Sequence, residues 1–226
     1  GHDNNRDGYA FTQQETRLLT AGLHDRWRPT IVHDLHQMGR NGARLFVPPY
    51  LDPWEPNVDP ALRSAAGALG LHVAARLAGD GRSGVVVQAL FDAWSPGRGY
   101  VHTHGGVRFL SEAAGTRLAT PVEVAAADLR GGRGYDPRRA SWNQPLPWPG
   151  GAWRPRDAVD YQLSASFALL EHAARLREFW LRQFLAVNRR ACQAREPRAY
   201  VVPAAKADPA AALVLLRTLR TGAVEL

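Results

Sequence analysis

Two hydrophobic periods alternate along the first 125 residues. Leu18, Leu19 and Leu23 recur at helical spacing behind Thr12-Gln-Gln-Glu15. That is a capping-box signature, and it predicts a helix over 12–27 that stops before Pro29. Behind the proline, TIVHDL (30–35) is a short apolar run of the buried-strand kind. Residues 61–78 (ALRSAAGALGLHVAARLA) predict a helix despite Gly67 and Gly70, while 84–91 (GVVVQALF) and 107–112 (VRFLSE) predict two more strands. The stretch 39–60 is rich in Gly, Pro, Asn and Asp and predicts a long ordered loop, a place where function is often carried. A second loop, 95–106, bears Gly and His. Helix alternating with strand indicates an α/β domain with a mostly parallel (mixed) sheet and flanking helices.

The character changes at 125–155, where Gly, Pro and Trp are dense and periodicity is absent, predicting a surface connection. Residues 156–195 then form one long amphipathic helix, with Val159, Leu163, Phe167, Leu170, Ala174, Leu181 and Leu185 as its apolar stripe. Tyr200-Val-Val202 and a helix over 209–221 predict the start of a second α/β unit. The expected divisions are therefore 1–124, 125–155, 156–196 and 197–226. The start at Gly1 and the final GAVEL suggest a piece of a longer protein.

Composition changes this picture little. The chain has 226 residues, 45% hydrophobic and 22% charged, an ordinary globular balance. No apolar run reaches the roughly 18–20 residues that a membrane span needs. The single Cys192 excludes an internal disulfide framework and a thiolate-rich metal site. Net charge is +7, which raises the question of nucleic acid. The basic residues are arginines apart from Lys206, and they are spread out. The densest stretch, 130–139 (RGGRGYDPRR), lacks the aromatic interleaving of a stacking platform, so no nucleic-acid partner is expected.

Candidate chemistry begins in His33-Asp-Leu-His36-Gln-Met-Gly39. In a strand, an odd separation puts His33 and His36 on opposite faces, so they are not a metal pair. His36 shares a face with Asp34 at the carboxyl end, where open α/β sheets bind ligands; His33 is expected to face a helix. The same residue type also serves as a hydrogen-bonded core histidine. Glu112 closes the strand over 107–112. A carboxylate there is costly unless paired or used, so Glu112 is a salt-bridge partner or a general base. Asn5 and Arg6 sit together in a polar loop and could clamp a carboxylate, the guanidinium bidentately. Tyr100, His102 and His104 lie in the loop before Glu112 and have no Cys or acidic partner to complete a metal set.

In this order the pieces resemble the second half of a zinc carboxypeptidase of the M14 family, closest to a bacterial subgroup. The resemblance rests on Asp34-Leu-His-Gln-Met-Gly39, Phe46-Val-Pro-Pro-Tyr50 and Ser111-Glu-Ala-Ala114, and covers roughly residues 1–122. It implies a carboxypeptidase-like fold and Zn2+ as cofactor. His36 would be the third zinc ligand and Glu112 the catalytic glutamate. Asn5 and Arg6 would hold the substrate's terminal carboxylate, and Tyr100 would be the mobile substrate-contacting tyrosine. The implied substrate is a peptide or peptidoglycan-type chain with a free carboxylate, and the implied location is outside the cytoplasm. The family's H-x-x-E motif, source of its first two zinc ligands, does not occur in these residues. Two explanations are open: those ligands lie upstream of residue 1, or the chain is a metal-free binding module.

Overall fold

The computed structural model describes residues 3–90, 92, 99–118, 120–193, 199–203 and 208–226. The expected ends at 91 and 194–195, and residues 95–98 of the loop expected over 95–106, lie outside the described residues. A mixed four-stranded sheet runs in the order β1 (Ile31–Met38), β4 (Val107–Ala114), β2 (Leu45–Phe46), β3 (Val85–Val86). β1 and β4 are parallel, β2 is antiparallel to β4, and β3 is parallel to β2. The general expectation of an α/β chain with a mixed sheet and flanking helices is therefore met.

Element lengths depart from the apolar runs. β1 continues three residues past Leu35 and β4 two past Glu112, because their pairing persists in register from Ile31↔Val107 to Met38↔Ala114. The run at 84–91 yields only Val85–Val86, since the two-residue β2 is the strand it pairs with. The first helix is α1 (Gln14–Leu19), prolonged by a wider π turn, Thr20–Asp25. Its expected capping box does not form: the Thr12 hydroxyl donates to Asp7 Oδ1 at 2.5 Å, and Asp7 Oδ2 accepts the Gln13 N–H at 2.9 Å. Burial pushes the Asp7 carboxyl up, but these bonds outweigh it and bring it to about 2. Asp7 thereby ties the loop carrying Asn5 and Arg6 to the helix start.

α2 (Pro60–Gly79) carries Asp59 as its N-cap and packs against the sheet and α4 (Pro155–Arg175). Gly70 is required by packing, because a Cβ there would lie 1.8 Å from the Pro48 carbonyl oxygen. The long helix expected over 156–195 is two helices, α4 and α5 (Arg177–Gln193), broken at Leu176. Its predicted apolar stripe faces outward: Leu163 is 47% and Phe167 66% exposed, and Val159, Leu170, Leu181 and Leu185 are exposed too. The buried side of α4 is instead Ala158, Tyr161, Ala165, Ala168 and Leu169. Small residues let the helix axis approach β4 and α2, and Gln162 and Ser166 on this side bond to the sheet. Large side chains would hold the helix away.

The core is continuous across 124 and 155, joining Leu45, Val73 and Phe109 to Trp153, Tyr161 and Leu169. Within the Trp-rich connection, β5 (Val122–Val124) and β6 (Gly151–Trp153) pair antiparallel. The Arg44 guanidinium, buried, lies over the rings of Trp148 and Trp153, 4.2 and 4.9 Å from their centroids. These two tryptophans pack; Trp142 is exposed. Residues 200–202 form no strand, while α6 (Pro209–Thr221) forms as expected and buries none of its residues. Short helix α3 (Tyr100–Thr103) precedes β4. Among the described residues no helix is long and apolar enough to cross a membrane.

Two thermal-denaturation comparisons test this packing. Gly70→Ala should destabilise the fold by about 1–3 kcal/mol because the Pro48 backbone cannot yield. Gly67→Ala, with only an ordinary 3.5 Å contact to Pro49, should be neutral or gain up to about 1 kcal/mol in helix propensity. Leu169→Ala should cost about 2–5 kcal/mol, and Phe167→Gln within about 0.5 kcal/mol of zero. The reverse order would put the wrong face of α4 in the core.

Candidate active site

The parallel register sets His36 directly beside Glu112, and Phe46 flanks Glu112 on its other side. His36 Nδ1 lies 3.9 Å from Glu112 Oε1, and His36 Nε2 is 2.9 Å from Asp34 Oδ1. Asp34 Oδ2 in turn accepts the Arg108 Nε–H at 2.7 Å. Arg108 Nη1 donates to Asp92 at 2.6 Å, with both side chains 4% exposed. One line of ionisable groups thus crosses this face of the sheet, from Glu112 through His36, Asp34 and Arg108 to Asp92.

Burial pushes the Asp34 carboxyl up, but the His36 bond and the Arg108 charge hold it well below the usual carboxylate range. Burial alone would lower the Arg108 guanidinium; the charges of Asp92 and Asp34 leave it raised. Beneath the line, the Arg108 backbone N–H donates to His102 Nε2 at 3.2 Å, and His102 stacks on Trp54. Burial, then the Arg108 charge, bring His102 down to about 4.

A cleft of about 460 Å³ opens over this face, lined among others by Asn5, Leu19, Leu23, Asp34, His36, Tyr100 and Arg108. Asn5 and His36 therefore share this cleft. Arg6, next in the 3-10 turn Asn4–Arg6, is exposed, and its Nη1 donates to the Asn5 carbonyl at 3.0 Å; it does not line the cleft. Tyr100 lines the cleft with its ring stacked on His104, centroids 4.0 Å apart. Its hydroxyl donates to Asp25 at 2.5 Å, and burial together with that carboxylate raises its pKa.

His33, on the opposite face, contacts Ser111 Oγ through Nε2 at 2.7 Å and Ser166 Oγ of α4 through Nδ1 at 3.1 Å. Burial brings it down to about 4 although Asp34 pulls it up. Gln162 of α4 reaches under the site: it accepts from the Ser111 hydroxyl and donates to the His36 and Ser111 carbonyls. Arg108, Asp92 and Gln162 were not among the expected site residues. For Arg108 a signal existed, because an arginine inside an apolar strand needs a partner as much as Glu112 does.

No protein-family model, curated protein or solved structure matches the chain.

The donor set bears on zinc directly. Among the described residues no group of three or more His, Cys, Asp or Glu side chains is placed to hold a metal ion. One ring nitrogen of His36 rests on a carboxylate, as in the arrangement that orients metal-binding imidazoles, and the other lies 3.9 Å from Glu112 Oε1. These residues fit as one ligand of a site that needs at least two more.

The buried histidines make a pH prediction. His33 and His102 are held neutral in the fold at about 4 but ionise near 6.5 when unfolded. The unfolded chain therefore binds more protons between those values, and stability should fall as pH drops from about 6.5 to 4, then flatten for these groups. His33→Gln should remove one group's share of that slope in urea-unfolding measurements. An unchanged slope would mean that His33 is not held neutral.

Proposed function

We propose that the chain carries half of a zinc-dependent metallocarboxypeptidase site and that its protein is an exopeptidase acting on peptides, or peptidoglycan-type chains, with a free carboxylate. The supporting observation is the side-by-side placement of His36 and Glu112 near the carboxyl ends of parallel strands; Asn5 lines the cleft that His36 lines, and Glu112 is not among that cleft's lining residues. The resemblance carried by Asp34-Leu-His-Gln-Met-Gly39 and Ser111-Glu-Ala-Ala114 adds the reaction class and a carboxypeptidase-like fold. In this reading His36 is one zinc ligand and the other two, from an H-x-x-E segment, lie upstream of residue 1. It is in keeping that β1, which bears His36, pairs only with β4 among the described residues and forms the sheet edge.

Zinc in such a site supplies Lewis acidity, which lowers the pKa of water and polarises the scissile carbonyl. Glu112 takes a proton from the attacking water and passes it to the leaving amine. The Asn5 amide donates to the substrate's terminal carboxylate. Arg6 joins it by swinging from its place on the Asn5 carbonyl, which costs little at an exposed site. Such a charge-assisted clamp rejects chains that lack a free end there. Tyr100 closes the cleft over the substrate.

The single-ligand character of the described residues favours one other reading, a metal-free binding module. Activity of the encoded polypeptide, upstream residues included, separates the two. On a free-carboxylate peptide, Glu112→Gln should lower kcat by about 10²–10⁴-fold with zinc content unchanged by atomic absorption. Arg6→Ala should weaken turnover of that peptide more than of its amidated form. Wild-type turnover with Glu112→Gln removes the glutamate's role, equal losses remove the clamp, and absence of both zinc and turnover leaves the binding module.

A further inference from the structure

We infer that His72 of α2 and His172 of α4 form a two-histidine site for a divalent transition ion of the kind that imidazole binds, Zn2+ among them. Neither residue lines the cleft over His36, and the inference does not depend on the exopeptidase reading.

The packing of α2 on α4 brings the pair together. On α2, His72 lies between the buried Leu69 and Val73, one turn before Arg76. On α4, His172 follows the buried Ala168 and Leu169 by one turn. It precedes the break at Leu176, whose N–H donates to the His172 carbonyl at 3.0 Å. The two rings meet with centroids 4.7 Å apart and planes inclined at 55°. Trp180 of α5, itself buried, sets its ring 5.7 Å from that of His172.

One nitrogen of each ring is left over. His72 Nε2 and His172 Nδ1 are both shut off from solvent, and neither has a hydrogen-bond partner among the described residues. A desolvated nitrogen without a partner is costly, and two on touching rings are economically satisfied by one shared ligand. The spacing suits an ion. An ion about 2.0–2.1 Å from a nitrogen of each ring, with an angle of about 90–110° between them, holds the ring centroids about 4.5–5 Å apart. A borderline divalent ion matches neutral imidazole in softness. Glu171, the nearest carboxylate in sequence, is engaged by Arg76 at 2.6 Å and Arg175 at 2.7 Å, so it does not make a third ligand. Water completes the coordination from the half-exposed side of the rings, and binding is weaker than in a closed four-ligand site.

The test is calorimetric titration of Zn2+ into the chain at neutral pH, in the background His2→Gln/His36→Gln, which removes two imidazoles outside the pair. One Zn2+ per chain should bind. Adding His72→Gln or His172→Gln should weaken that binding at least about tenfold. Zn2+ should also raise the thermal midpoint of the background and leave that of either added variant unchanged.

Should a glutamine variant not fold, the ring NMR signals of the folded background decide. Zn2+ should shift the signals of His72 and His172 and leave those of His33 and His102 in place. No uptake in the background, uptake that neither substitution weakens, or shifts confined to other rings would overturn the inference; a bridging water then accounts for the two nitrogens. None of these readouts involves turnover, so the exopeptidase reading stands or falls separately.

Discussion

The in-register parallel pairing of β1 with β4 is the constraint on which the rest of the molecule depends. A slip of one residue would exchange the faces of every side chain on β1. Asp34 would leave Arg108, and His33 would leave Ser111. The slip would leave Arg108, only 4% exposed, with Asp92 as its one remaining carboxylate of the two that now face it. The register is thus held by polar partners on both faces as well as by Phe109 and Leu110 in the two hydrophobic clusters. It also brings His36 and Glu112 side by side.

The helical layer answers to the polar side of that pairing. α4 packs on a face of Ala158, Tyr161, Ala165, Ala168 and Leu169, with Gln162 and Ser166 inserted where His33, Ser111 and the His36 carbonyl need partners. Desolvated polar groups without partners would be costly, so a close and partly polar contact is favoured over a wide apolar one. Its price is an outer face that carries Val159, Leu163, Phe167 and Leu170 in the open. Beside β1, Leu35, Leu118, Val159 and Leu163 line a groove of about 440 Å³.

Strand existence was legible because branched apolar runs behind a proline, or between glycines, leave few other local options. That His36 and His33 occupy opposite faces followed from the two-residue period alone. The inner face of α4 was not legible, since it has apolar residues on two sides and the larger ones give the stronger periodic signal. Nor was the cap of α1: Thr12 matched a local motif, yet Asp7, five residues earlier, takes its hydroxyl. A nearby carboxylate that accepts three hydrogen bonds outcompetes a box built from one threonine and one glutamate.

What the chain alone determined is local: where α2, α6, β1 and β4 lie, which of those strands carry His36 and Glu112, and the absence of an H-x-x-E among its residues. The period of a β-strand and the chemistry of each side chain suffice for that. Only the tertiary structure decided that Asp34 lies between His36 and Arg108, that Asp92 secures Arg108 from outside the strands, and that Asn5 lines the cleft while the exposed Arg6 does not. Those are outcomes of strand register and helix approach. They depend on which groups can satisfy one another across 16 residues for Arg108 and Asp92 and 74 for Arg108 and Asp34, and no short window of neighbouring residues contains that information.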